Sequence, residues 1–343
     1  MNNSESPPDS TSSLTAEASA DPARVASRLA PAEQAPGWKQ KSTQPVWRRA
    51  LPFVLAFGLL FWVLRRTGIS ELRGALSQTN FALFFAFTFI SMLLSLAADS
   101  YATSYIYRRT VCPIRFREFL LIRGASYLPS MLNHNLGQAW LTYFMSKRYN
   151  APLWRVAGAT LLVYGTNLAG LLILGAIALL FNDQRVPWLA AVVALGGAGG
   201  LVYFAILTWG KRWLGRWQAT APLVEIGIAG HLKSIAVRLP HVGALYLSTW
   251  LSFSFFGVWI PPQDALAYIP VLMMVAALPL TPGAVGTRDA VALELLAGFA
   301  SPEHGVSSIA AATLSWFVVV NLSAALISAP LMRRASRLLN SGS

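Results

Sequence analysis

Residues 278–290 read Leu278-Pro279-Leu280-Thr281-Pro282-Gly283-Ala284-Val285-Gly286-Thr287-Arg288-Asp289-Ala290, inside an otherwise apolar stretch running from 264 to 301. Pro279, Pro282, Gly283 and Gly286 interrupt a helix there, because proline lacks the amide donor and glycine favours turns. The arms on either side hold about 10–18 residues, and at ~1.5 Å per residue most such arms fall short of a ~30 Å hydrocarbon core. Asp264 and Glu303 flank the stretch, with no Lys or Arg at either end. Both ends therefore read as lying on the side that basic residues avoid. The stretch is expected to enter the membrane and return as a re-entrant hairpin.

A second apolar stretch, 118–146, is broken between Pro129 and Gly137. Arg115 and Arg117 precede it and Lys147 and Arg148 follow it, so both of its ends read as cytoplasmic. The two halves echo one another. Leu128-Pro129 precedes Leu136-Gly137 as Leu278-Pro279 precedes Val285-Gly286. Ala159-Thr160-Leu161 with Asn167-Leu168 matches Ala312-Thr313-Leu314 with Asn321-Leu322. The offset is about 150 residues, and an odd number of spans per copy inverts the second, the plan of many transporters. Gly137 and Gly286 are then expected near the bilayer midplane, with the two breaks facing one another.

Composition agrees with a membrane protein. Of 343 residues, 55% are hydrophobic and 12% charged, and mean hydropathy is +0.50. A soluble domain carries about 25% charged residues. Disorder, collagen, coiled coil and disulfide scaffold are excluded, the last because Cys112 is the one cysteine. The net charge of +13 would suggest nucleic acid on a soluble protein, but here its placement reports topology.

Six apolar segments are long enough to span: about 48–66, 80–107, 156–181, 186–209, 241–260 and 306–331. Short pieces near 69–79 and 213–236 read as interfacial. With the N-terminus in the cytoplasm, 21 of the 27 Lys and Arg residues, Arg238 among them, fall inside. Only Arg65, Arg66, Arg73 and Arg185 fall outside, while Arg123 and Arg288 lie within the broken stretches. Residues 1–47 hold 22 Ser, Pro and Ala and read as a disordered cytoplasmic tail. They lack the basic-then-apolar order of a signal peptide. The expected organisation is this tail, a transmembrane domain over 48–335 and a short cytoplasmic tail over 336–343. The domain comprises a first repeat of about 48–181 and a second of about 186–331. The expected fold class is an all-α polytopic membrane protein with six spans and two re-entrant broken-helix hairpins, set in a bacterial-type inner membrane with both termini cytoplasmic.

The 278–290 segment resembles the signature of the lysylphosphatidylglycerol synthase transmembrane region, or flippase-like domain, family. That signature runs Leu-Pro, then Pro-Gly-Gly-x-Gly-x-Arg-Glu. Here Ala284 stands for the second Gly of Pro-Gly-Gly and Asp289 for the Glu. Asn133-His134-Asn135-Leu136-Gly137-Gln138 resembles an earlier family motif, with Gln138 where an acid is expected. The resemblance covers about residues 48–335. It implies an integral membrane protein handling lipids, and a stand-alone member, since the chain ends a few residues after Arg337 with no aminoacyl-transferase domain.

The residues expected to meet substrate are few. Arg288 can hold a phosphate bidentately, and Pro282 and Gly283 free backbone amides before it, which suits an anion. The alternative is that Arg288 pairs with Asp289 or Glu294 and pins the hairpin. Glu294 is a proton carrier or faces a wet cavity. Asn133, His134 and Asn135, beside Gly137, satisfy free backbone groups at the first break, or His134 relays a proton. Asp99 pairs with a base such as Arg123, or lies on the substrate path. Asn167 and Asn321 read as interhelical hydrogen-bonding residues, and the glycines at 196–197 and 199–200 as close helix packing. No residues have metal-ligand spacing, no phosphate-binding loop or hydrolase elbow appears, and no cofactor is expected.

The function expected is movement of a lipid or lipid-linked anionic headgroup between leaflets, with anionic phospholipid or a polyprenyl-linked lipid as partner and no nucleic acid. The alternative is a membrane-embedded enzyme or accessory subunit that acts on lipid-linked substrates, beside a partner biosynthetic enzyme, without moving them.

Overall fold

The computed structural model describes residues 46–340 apart from 133, 181–185, 278–280 and 282–283. The tail before residue 46, Asn133, Gly283 and the last three residues lie outside this description, as does the His134 side chain.

The described residues form helices and connecting turns, with no strand among them. In order come α1 (Val46–Thr67), α2 (Ile69–Ser77), α3 (Phe81–Thr110), α4 (Phe116–Ala125), α5 (Tyr127–Leu132), α6 (His134–Arg148) and α7 (Leu153–Leu179). They are followed by α8 (Leu189–Trp209), α9 (Lys211–Leu214), α10 (Ala221–Glu225), α11 (Gly227–Ser254), α12 (Pro262–Ala277), α13 (Thr287–Leu296) and α14 (Ser307–Asn340). Local chemistry sets the ends. The Asn80 side chain caps α3 by accepting from the Leu83 amide at 3.1 Å, and Arg108 and Arg109 complement the dipole in its last turn.

Among the described residues, four helices, α3, α7, α8 and α14, are long and apolar enough to cross a membrane. The helices α1 and α11 are also long, at 22 and 28 residues. The helices α12 and α13 have 16 and 10 residues and pack on one another, as do α5 and α6. This is a largely membrane-embedded helical bundle with broken-helix segments at both stretches the sequence marked.

One boundary departs from expectation. The stretch 213–236 was expected to lie along the interface, yet α11 begins at Gly227 and continues through Arg238 and Pro240. Arg238, expected among the cytoplasmic charges, is instead 1% exposed. The reason is tertiary: α11 lies along α3, and α3 supplies a carboxylate.

Lipid chains are as apolar as Leu, so close packing rather than water exclusion joins such helices. Small residues on α7 serve this. A side chain at Gly170 would meet Val242 at 2.8 Å, and one at Gly175 would meet Met274 at 2.8 Å. Of three apolar clusters, the two larger include α3. One gathers Phe84 of α3 with Phe253, Leu272, Leu293 and Ile309. The other gathers Ile106 and Tyr107 of α3 with Phe119, Phe144 and Ala335. Between them, on the same α3, lies a polar layer around Asp99.

Candidate functional site

The polar layer is built from stripes at helical spacing. On α3, Thr88, Ser91, Ser95, Asp99 and Thr103 recur every three or four residues. On α11, Ser234, Arg238, His241, Ser248 and Ser252 follow at steps of four, three, seven and four, which also keeps them on one face. Since α3 and α11 pack together, the stripes meet.

Asp99 is the centre. Arg123 of α4 donates from Nε to its Oδ2 at 2.5 Å. Arg238 donates from Nη1 to its Oδ1, and from Nη2 to Thr103 Oγ1 at 2.8 Å. The Thr103 hydroxyl donates in turn to Asp99 Oδ1 at 3.1 Å. His241 Nδ1 lies 3.2 Å from the Ser95 carbonyl oxygen, which makes Nδ1 the donor. With its amide oxygen turned toward Arg123, Gln138 accepts from Nη1 at 2.9 Å and Nη2 at 3.2 Å.

The charge balance follows. Two guanidiniums, always protonated, face one carboxylate. Gln138 stands against Arg123 where an acid would have cancelled the second charge, and Arg238 Nε is buried without a partner. A cavity of about 320 Å³ opens beside this group, lined by Asp99, Arg123, Tyr127, Ser130, His241 and Trp316. The site is thus a positively biased, hydroxyl-rich cavity between two apolar layers.

Arg288 lies on the other side of Trp316. It is 6% exposed and donates from Nη2 to the Thr313 carbonyl at 2.8 Å and to Asp289 Oδ1 at 3.2 Å. Its guanidinium sits 4.7 Å from the centre of the Trp316 ring, and its Nε has no partner. A smaller cavity of about 50 Å³ touches Arg288, Thr249, Ser252 and Trp316. Asp289 is fully buried and accepts from the Gly286 amide at 2.8 Å, capping α13. The pairing of Arg288 with Asp289 is therefore present, and its Nε is buried without a partner.

The other expected residues scatter. Glu294 is exposed and paired with Arg66 of α1, not with Arg288. Asn135 lies on the exposed side of the first turn of α6. Gly137 allows α6 to approach α5, since a side chain there would come 1.7 Å from Ser130 Oγ. Gly286 has φ +81° and lies against α1, 2.8 Å from Leu59 and 2.9 Å from the Ala56 carbonyl in the same sense. The close neighbours of the two glycines thus differ, and neither is the other. Asn321 hydrogen-bonds its own helix through the Phe317 carbonyl at 2.8 Å, not a neighbouring one.

Arg238, His241 and Trp316 were missed from sequence. The polar stripe on α11 was the available signal, obscured because Arg238 was counted as a surface charge.

Fold and site together define a multi-pass helical membrane protein with an anion-compatible cavity among its helices. The chain belongs to the lysylphosphatidylglycerol synthase TM region family, whose model matches residues 49–324, more than three quarters of its length. No curated protein matches it. Family membership and the apolar bundle support a lipid-handling role in the membrane.

Proposed function

We propose that this protein moves an anionic lipid, or a lipid-linked anionic headgroup, between the leaflets of a bacterial inner membrane. The observation that carries the reading is the excess positive charge of Arg123 and Arg238 over Asp99 beside a cavity of about 320 Å³ whose lining carries several hydroxyls. A headgroup loses water on entering hydrocarbon at a cost of many kcal/mol unless new partners replace it. Hydroxyls, His241 and Arg123 offer such partners, and the unpaired charge selects an anion. Arg288 and Asp289, with Gly286 before them, form a second contact across Trp316. Asp99 holds the arginines in place, Asn135 and Gly137 shape the first break, and Glu294 bridges to α1.

In this reading 1–47 and 336–343 are cytoplasmic tails. The 48–335 domain has six spans, with α4–α6 and α12–α13 as re-entrant hairpins of opposite orientation. The lengths of α12 and α13 support this, since 16 and 10 residues reach about 24 and 15 Å at 1.5 Å each. The basic cytoplasmic rim draws anionic lipid to the surface.

Reconstitution in liposomes with labelled phosphatidylglycerol tests the proposal. Protein-dependent movement of the label, with no chemical change to the lipid, is expected. Conversion of the lipid without movement would assign the cavity to a membrane enzyme instead.

A further inference from the structure

A second cavity, separate from the Asp99 site, lies where α8 meets α7 and α11. It is a groove of about 430 Å³, lined mainly by apolar residues, among them Leu161, Ala169, Leu172, Gly199, Gly200 and Phe204. From Leu161 to Leu172 it follows α7 for about 16 Å at 1.5 Å per residue. For scale, a dry apolar cavity of about 150 Å³ takes up benzene.

The glycines of α8 make this room. The sequence suggested close helix packing at all four, and that holds at Gly196, where a side chain would strike Leu172 at 2.5 Å. At Gly197, Gly199 and Gly200 nothing lies within 4 Å of an added Cβ. Gly199 and Gly200 therefore floor a groove and do not seat a helix.

The two ends differ. At one end Tyr203 donates its hydroxyl to His231 Nε2 at 2.8 Å, while His231 Nδ1 donates to the Gly227 carbonyl at 2.8 Å. Beyond this end stand exposed Lys211, Arg212 and Arg216, with Lys233 two residues past His231, and the exposed rings of Trp213 and Trp217. The one acid there, Glu225, is already held by Arg155. The segment Leu161–Leu179 of α7 and all of α8 contain no charged residue. Trp and basic residues gather at headgroup depth, so an apolar groove leads away from a basic, headgroup-level rim.

We propose that this groove holds one acyl chain of an anionic phospholipid, with the headgroup at Lys211, Arg212 and Lys233. A second copy of the chain fits less well. Two copies side by side about an axis along the membrane normal would bring their basic rims together. The site does not depend on the transport reading, because occupancy is measured without movement.

The test uses the full-length protein in liposomes with phosphatidylglycerol carrying a photoactivatable diazirine on one acyl chain. Adducts are mapped by mass spectrometry. They are expected within 161–172 and 196–204. Gly199→Leu, which fills the groove without a neighbour to displace, should lower them about ten-fold while the thermal midpoint holds. Neutralising Lys211, Arg212 and Lys233 to Gln should erase most of the preference over the same probe on phosphatidylcholine. Adducts elsewhere in the wild-type protein would overturn the proposal whatever the variants do, as would unchanged labelling in folded Gly199→Leu. Efficient disulfide dimers of Gly199→Cys would give the face to a second copy and equally overturn it.

Discussion

Arg238 and Asp99 stand 139 positions apart in the chain and form an ion pair whose side chains are 1% and 4% exposed. Arg123 completes the group from a third helix. Asp99→Ala would leave two guanidiniums buried without their counter-charge. Breaking such a pair costs about 3–5 kcal/mol. A clear drop in the thermal midpoint in detergent is expected, smaller for Asp99→Asn, which keeps an acceptor. An unchanged midpoint would dismiss the triad as a structural element.

Gln138→Glu supplies Arg123 with the carboxylate it lacks. The variant should be at least as stable as the parent, since a charge-assisted hydrogen bond contributes about 1.5–3 kcal/mol. Anionic lipid now competes with a fixed carboxylate, so its transport should fall about ten-fold. Transport at the parental rate in this variant would show that the surplus charge does not recruit the substrate.

Arg288→Lys keeps the charge but loses the planar guanidinium, in which Nη2 alone serves the Thr313 carbonyl and Asp289 while the other nitrogens stay available to a phosphate. Transport per folded molecule should drop. Arg288→Ala should be worse, since it also strips Asp289 of its neighbouring cation. A stable Arg288→Ala protein with full transport would leave Arg288 only its pairing role.

Ala284 has φ +58°, at the position where the family signature has glycine. A left-handed conformation costs an L-residue roughly 1–2 kcal/mol. Ala284→Gly should raise the thermal midpoint, less the added freedom of the unfolded chain. Gly286→Ala should lower it, because φ is +81° and the new methyl would press on Leu59 and the Ala56 carbonyl.

Cys112, in the turn after α3, is 8% exposed, and burial, followed by the nearby Glu118 carboxylate, pushes its thiol up to about 12. It should resist maleimide at neutral pH and react on unfolding, where the thiol returns to about 8.5. The sign is that folding loses stability as pH rises above that unfolded value, because the native state then holds the extra proton. With Cys112 silent or removed, a cysteine at position 303 should react with impermeant reagent in intact cells. Reaction only after permeabilisation would reverse the proposed topology.

Much of the site was readable in pieces. Asp99 and Arg123 stood out as charges in apolar surroundings, and their pairing follows from the cost of burying either alone. Arg288 and Asp289 stood out in the same way. Glu294 could not be placed, because its partner Arg66 lies 228 positions away on another helix. Arg238 was misread for a related reason: hydropathy began the apolar segment at 241, after it, while a carboxylate on α3 made its burial affordable.

The chain's own residues determined that it is helical, membrane-embedded and broken at two places, because length, apolar runs and prolines act locally along a helix. They also marked the family through a short run of Pro, Gly and Arg. Which helices lie side by side was decided by the tertiary structure, and with it everything that depends on convergence. The α3 and α11 stripes become a cavity only when those helices pack, and Gln138 matters only because α6 brings it to Arg123. Gly199 and Gly200 line open space only because α8 touches α7 at Gly196 and stands clear beyond it. A charge or a glycine carries its chemistry in the sequence, but its partner is a property of packing.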